Sequence, residues 1–188
     1  SYIAAFDERI KASAPACYIT GFRRLLESIG PQDAEQNFYH GISNGITHAD
    51  LLEVRAPKPT LIVATTRDFF SIQGVRETYR EVKKAYRAFG LEENIALVED
   101  DYRHGYTRKN REAIYKFFQK TLELPGDPAD EDVEIFEPEE LYVTSTGQVS
   151  TSLGGETVFS LNRKETEKLI EKLEKSRKNI EEHLKCVR

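Results

Sequence analysis

"PTLIVATTRD", residues 59–68, decides the fold. Leu61, Ile62, Val63 and Ala64 form an unbroken apolar run of strand length. Such a run suits a strand covered on both faces, as in a parallel sheet between helices. Downstream, Ile72, Val75, Tyr79, Val82, Tyr86 and Phe89 recur at steps of three and four. That spacing predicts an amphipathic helix over 72–89, stopped by Gly90. "NIALVED" (94–100) predicts a second buried strand, and "RKNREAIYKFFQKTL" (108–122) a second helix with Ile114, Phe117, Phe118 and Leu122 inward. Strand, helix, strand, helix at this spacing makes parallel strands joined by right-handed crossovers, an α/β fold.

Working outward, residues 1–9 read as the end of a helix already under way, with Tyr2, Ile3, Ala5 and Phe6 apolar. "KASAPACYIT" (11–20) suits a short buried strand that Pro15 weakens. Residues 21–30 form a short helix ending at Gly30, and 31–50 a long loop or cap, a length that is often functional. After Leu124 the composition turns acidic and proline-containing. The sequence therefore divides into an α/β part, 1–124, and an extension, 125–188. The extension is expected to hold an acidic linker, a β-hairpin over 141–153 around Gly147, and a charged helix over 163–185. Leu169, Leu173, Ile180 and Leu184 line that helix on one narrow seam, as on a surface or domain-linking helix, and Asn162 and Glu165 stand at capping-box spacing.

The totals exclude several classes. With 39% hydrophobic and 31% charged residues the chain is neither disordered nor membrane-spanning. No segment reaches the roughly 20 apolar residues of a membrane helix. A net charge of −5 argues against a nucleic-acid partner, which needs a concentrated basic patch. The two cysteines, Cys17 and Cys186, match no metal spacing and make no disulfide framework, so the compartment stays open.

The candidate chemistry lies at two strand ends. Glu99, Asp100 and Asp101 close the second strand, but a hard cation needs more oxygen ligands than this stretch offers. His104 follows about four residues later, at the carboxyl edge where open α/β sheets gather ligand and catalytic residues. A histidine base needs an acid to fix its tautomer. Asp68 leaves the sheet at the same edge, one crossover earlier, so adjacent parallel strands would bring the two together. The order acid, then histidine, matches the last two members of Ser…Asp…His.

"DERIKASAPACYIT", "GPQDAEQN", "HADLLEVRAPKPTLIVATTRDFFSIQG" and "HGYTRKNREAIYKFF" together resemble the C-terminal half of α/β-hydrolase serine esterases of the acetyl xylan esterase-like group. The resemblance covers residues 1 to about 124 and continues into "EELYVTSTGQVSTSLGGETVFSLNR". It implies a carboxylic-ester hydrolase that deacetylates polysaccharide, with His104 as base, Asp68 as orienting acid, and no metal or organic cofactor. It also implies a serine on a sharp strand-to-helix turn several residues before Ser1, supplied by an N-terminal remainder of the same protein. The pattern G-x-S-x-G occurs in residues 1–188 as "GISNG" (41–45), inside the long loop and not at the end of an apolar strand. By this reading residues 1–188 are a piece that is inactive and poorly folded by itself.

Further residues are candidates for substrate contact: Glu35 and Asn37 in the "PQDAEQN" loop near the implied active-site mouth, Phe69 as a pocket wall, and His48. Asp33 and Glu35 are also backup acids, and His48 reads first as a helix-start or packing histidine and only second as a ligand. The competing function is a non-catalytic, hydrolase-like binding or scaffold domain.

Overall fold

The structure, a computed structural model, describes residues 1–30, 32, 33, 36–177 and 179–186. It divides into two compact units, Ser1–Glu131 and Asp132–Arg188.

In the first unit, helices α1 (Tyr2–Phe6), α2 (Phe22–Ser28) and α3 (His48–Glu53) precede strand β1 (Thr60–Thr65), helix α4 (Ile72–Ala88), strand β2 (Ile95–Asp100) and helix α5 (Arg108–Leu122). β1 and β2 pair in parallel with Thr60 opposite Ile95 and Thr65 opposite Asp100. Every residue of β1 is buried, as its unbroken apolar run requires. β2 is fully buried only at Ile95 and half-buried beyond it, because among the described residues only one flank of β2 is paired. The segment expected as a strand over 11–20 makes single parallel bridges to β1, Ser13 to Thr60 and Ala16 to Val63. Pro15 has no N–H to donate, so the ladder does not close between them, although the Pro15 carbonyl still accepts from Val63 N–H at 3.0 Å.

The core gathers Ile62 and Ala64 of β1 with Val75, Val82 and Tyr86 of α4, Ala49 and Leu52 of α3, and Ile19 and Ile95. The face of α4 is rotated from its apolar stripe. Gly74 and Thr78 are buried while Phe89, at the C-cap, is exposed. The cause is the close approach of residue 20. Thr78 Oγ1 donates to the Thr20 carbonyl at 2.6 Å, and a Cβ at Gly74 would stand 2.2 Å from Thr20 Oγ1. Gly74→Ala is therefore expected to destabilise the protein by about 1–3 kcal/mol through overpacking, outweighing the better helix propensity of alanine. Urea unfolding checks this; a stabilised variant would refute it. On α5 only Asn110 is fully buried; Ile114, Phe117 and Phe118 are half-buried, and Leu122, expected inward, is exposed at the end of the last turn.

Tyr86 carries a polar end into this core. Its hydroxyl donates to the Lys58 carbonyl at 2.7 Å and meets Thr60 Oγ1 at 2.9 Å, while buried Arg55 donates from Nε to the same Thr60 hydroxyl at 3.0 Å. Arg55 Nη1 also reaches the Ala4 carbonyl at 2.7 Å, which ties α1 to the start of β1. Past α5, segment 125–131 is held by Asp130, whose carboxylate accepts from Arg111 Nη2 at 2.5 Å and from Tyr115 Oη at 3.3 Å.

The second unit contains no strand among its described residues. The expected hairpin over 141–153 is instead a turn at Gly147 followed by helix α6 (Val149–Leu153). Thr146 and Ser152 explain the difference. Thr146 Oγ1 meets Ser152 Oγ at 2.6 Å and Thr146 N–H donates to the same oxygen at 3.1 Å. These short side-chain bonds take the place of a ladder, as serine and threonine often do. The charged helix is two helices, α7 (Val158–Arg177) and α8 (Ile180–Cys186). Asn162 lies inside α7, so the cap is not Asn162 with Glu165. Thr157 and Ser160 exchange it instead, with Thr157 N–H on Ser160 Oγ at 2.8 Å and Ser160 N–H on Thr157 Oγ1 at 3.1 Å. No helix among the described residues is long and apolar enough to cross a membrane.

Candidate active site

The loops that leave β1 and β2 are laced together. Thr66 N–H donates to the Asp100 carbonyl at 2.9 Å and Arg67 N–H to the Tyr102 carbonyl at 3.0 Å. Asp101 adds a side-chain latch, accepting from Thr66 Oγ1 at 2.7 Å and Arg67 Nε at 2.9 Å. The Thr66 hydroxyl, and then the charge of Arg67, hold the Asp101 carboxyl below its ordinary range. Glu99 pairs with Arg76, and Asp100 lies 3.8 Å from Lys109. The three acids at the end of β2 are thus spent on neighbouring cations and on shaping the loop.

This lacing brings Asp68 and His104 together. His104 Nδ1 stands 3.0 Å from both carboxylate oxygens of Asp68. The Asp68 side chain is 2% exposed and that of His104 46%. Asp68 is also held by partners other than the histidine. Its Oδ1 accepts from Phe70 N–H at 3.0 Å and its Oδ2 from Thr65 Oγ1 at 3.2 Å. The first bond is an aspartate turning back on the amide two residues ahead, a local motif. A carboxylate that accepts from Nδ1–H leaves the lone pair of the neutral ring on Nε2, free to take a proton from a group beside it. Phe69 stacks on the imidazole, centroid to centroid 4.4 Å at 25°, and limits its rotation.

His104 borders a cavity of about 290 Å³ whose walls also include Cys17, Tyr18, Asp33, Gln36 and Phe69. Cys17 is the residue that sequence spacing did not reveal. It ends the bridged segment beside β1, is 7% exposed, and takes a left-handed backbone at φ 49°. Its Sγ donates to the Gly105 carbonyl at 3.4 Å and lies 3.8 Å from Thr65 Oγ1. Burial, first of all, pushes the Cys17 thiol up from its ordinary range. One donor atom each from Cys17, Asp68 and His104 lies within 4.8 Å of the others. A short apolar segment holding a buried cysteine carries no signal of this in the sequence.

The other candidates separate. Phe69 is at the cavity, on the histidine. Glu35 lies outside the described residues. Asn37 spends its amide on its own loop, donating to the Gln32 and Asp33 carbonyls at 2.8 Å each, and faces a different cavity with Phe22 and Phe38. His48 is corrected from a substrate contact to a packing residue. It is fully buried, and both ring nitrogens are used: Nδ1 accepts from Thr20 N–H at 2.8 Å and Nε2 meets Gln32 Oε1 at 3.1 Å. Its ring packs between Tyr18 and Phe22 at 4.9 and 4.8 Å, and burial pushes its pKa down to about 4.

No protein-family model matches the sequence, and no curated protein matches it. Solved structures do. The methylesterase BT1017 is similar over 66% of this chain and 27% of its own, at 23% identity and TM-score 0.53. A carbohydrate esterase family 15 glucuronoyl esterase from Caldicellulosiruptor kristjansonii is similar over 71% of this chain and 43% of its own, at 17% identity and TM-score 0.50. The glucuronoyl esterase catalytic domain from Hypocrea jecorina is similar over 76% of this chain and 46% of its own, at 15% identity and TM-score 0.52. The chain spans less than half the length of each of these structures. At these identities the likeness establishes architecture, and by it the chain has an α/β-hydrolase-type fold, the fold of these esterases.

Proposed function

We propose that the intact protein is a serine-type carboxylic-ester hydrolase acting on esterified carbohydrate, with His104 and Asp68 as the base and orienting acid of a Ser-His-Asp triad. The observation that carries this reading is the buried Asp68 carboxylate, fixed by Thr65 and Phe70, 3.0 Å from Nδ1 of a half-exposed His104 at the edge of a cavity. The names of the similar structures, a methylesterase and two glucuronoyl esterases, one of them of carbohydrate esterase family 15, support the substrate class. By this reading the serine belongs to sequence outside residues 1–188. The G-x-S-x-G within them, Gly41–Gly45, spans a short 3-10 helix (Ile42–Asn44) rather than a strand-to-helix turn. Its Ser43 lines a different cavity from His104, with Oγ donating to the His40 carbonyl at 3.0 Å.

In this mechanism Nε2 of His104 takes the serine proton as the oxygen attacks the ester carbonyl. Asp68 stabilises the imidazolium, His104 returns the proton to the departing alcohol, and a water activated by His104 then releases the acid. Phe69 and Tyr18 give the cavity apolar walls, and Asp33 and Gln36 supply polar groups for sugar hydroxyls.

The test is hydrolysis by the intact protein of two carbohydrate esters, an acetylated xylo-oligosaccharide and a methyl glucuronate, together with fluorophosphonate labelling. Acetyl release is expected from the sequence resemblance, and methanol release from the similar structures; either one supports the esterase. Neither hydrolysis nor labelling would leave a non-catalytic binding or scaffold domain as the reading. Residues 1–188 by themselves are expected to hydrolyse neither ester.

A further inference from the structure

We propose that Cys17, Asp68 and His104 form a zinc-binding site whose occupation switches off the histidine as a base. The donor atoms lie within 4.8 Å of one another, and a small inward movement brings them to the separations of a tetrahedral site. A thiolate, an imidazole and a carboxylate are the donor types zinc prefers, and three protein ligands leave a fourth position for water. The cavity beside Cys17 and His104 gives that water room and gives the ion an entry path. The site is also well supported behind its ligands. Thr65 Oγ1 and Phe70 N–H hold the carboxylate, and Phe69 holds the ring plane.

The consequence for the base follows from counting protons. Neutral imidazole carries one N–H. While Asp68 accepts from Nδ1–H, the free lone pair is on Nε2. A zinc ion on Nδ1 needs that nitrogen's lone pair, so the ring proton moves to Nε2. The thiol loses its proton to solvent and becomes the thiolate ligand. One zinc ion therefore enters and one proton leaves, and His104 now presents a donor where a base is needed. No oxidant or reductant takes part.

Zinc binding rests on the geometry alone, and the inhibition rests on the esterase reading, so the two are measured separately. Binding is read with Co²⁺ alone as the spectroscopic probe, on intact protein carrying Cys186→Ser, so that Cys17 is the one thiol left within residues 1–188. One equivalent of Co²⁺ with a thiolate-to-cobalt charge-transfer band is expected. Cys17→Ala in the same background should abolish the band and weaken binding at least about tenfold, with Cys17→Ser as a second variant and circular dichroism confirming that each is folded. No thiolate band, or equal affinity with and without Cys17, overturns the site. Inhibition is read as ester hydrolysis against free Zn²⁺, each variant normalised to its own metal-free rate. Removing Cys17 should shift the half-inhibitory concentration upward by at least about tenfold. Undiminished activity at a Zn²⁺ concentration that displaces the bound Co²⁺ overturns the switch. A cobalt band in a protein that hydrolyses no ester upholds the site and sinks the esterase reading instead.

Discussion

Asp68→Asn in the intact protein is expected to lower kcat for ester hydrolysis about 10⁴-fold while leaving KM nearly unchanged. The size follows from the partners of each oxygen. Oδ1 accepts from Phe70 N–H and Oδ2 from the Thr65 hydroxyl, and Nδ1 of His104 stands 3.0 Å from both. An asparagine keeps its one carbonyl oxygen on the Phe70 amide, which cannot turn away. Its NH₂ then faces His104, so Nδ1 must accept and the ring proton moves to Nε2. The base is lost with the geometry intact, as it is when zinc takes Nδ1. His104→Ala removes the base outright and is expected to cost at least as much, because members of such a unit do not act additively. Steady-state kinetics alongside thermal unfolding checks both. A fall of less than about tenfold in a folded Asp68→Asn protein would remove Asp68 from the triad and return Asp33 as the acid to test.

The second large effect is on stability and lies at His48. In the unfolded chain this ring has its ordinary pKa of 6.5; in the fold, burial depresses it to about 4. The folded state therefore resists protonation. The stability that neutral His48 contributes is complete above pH 6.5 and is lost as pH falls from there through about 4. The loss amounts to about 3 kcal/mol, from 1.36 kcal/mol per pKa unit. Urea unfolding at pH 7 and pH 4 is expected to show that drop in excess of the drop in His48→Gln, whose amide does not titrate. An imidazole resonance that stays neutral through pH 5 is the direct check. Equal pH dependence in the two proteins would overturn the assignment. The functional consequence would be felt at the cavity. His48 holds the Thr20 amide and Gln32 and packs on Tyr18, so a protonated ring loosens the segment that follows Cys17.

The histidines show how far the chain could be read. His104 was legible because an apolar strand, a short loop and a helix set its place on the sheet edge, and Asp68 occupies the equivalent place one crossover earlier. The register of β1 on β2 does the rest, and that register is itself a consequence of two short apolar runs joined by one amphipathic helix. His48 sits at a helix start in the sequence, and nothing local says that Tyr18, Phe22 and Gln32 will enclose it. Asn37 read as a loop residue near the site mouth, but a loop amide can as readily bind its own backbone, and here it does.

The sequence by itself determined β1 and β2, helices α4 and α5, their parallel order and the shared edge of Asp68 and His104. Those are consequences of chain-local periodicity, where neighbours two, three or four residues apart select one face of one element. Tertiary structure alone decided that Cys17 lies against the acid–histidine pair, that His48 is enclosed, that Gly74 admits Thr20, and that residues 149–153 are a helix rather than a strand. Each of those is fixed by an atom arriving from a distant segment, or by side-chain hydroxyls competing with the backbone ladder, and neither leaves a period in the sequence.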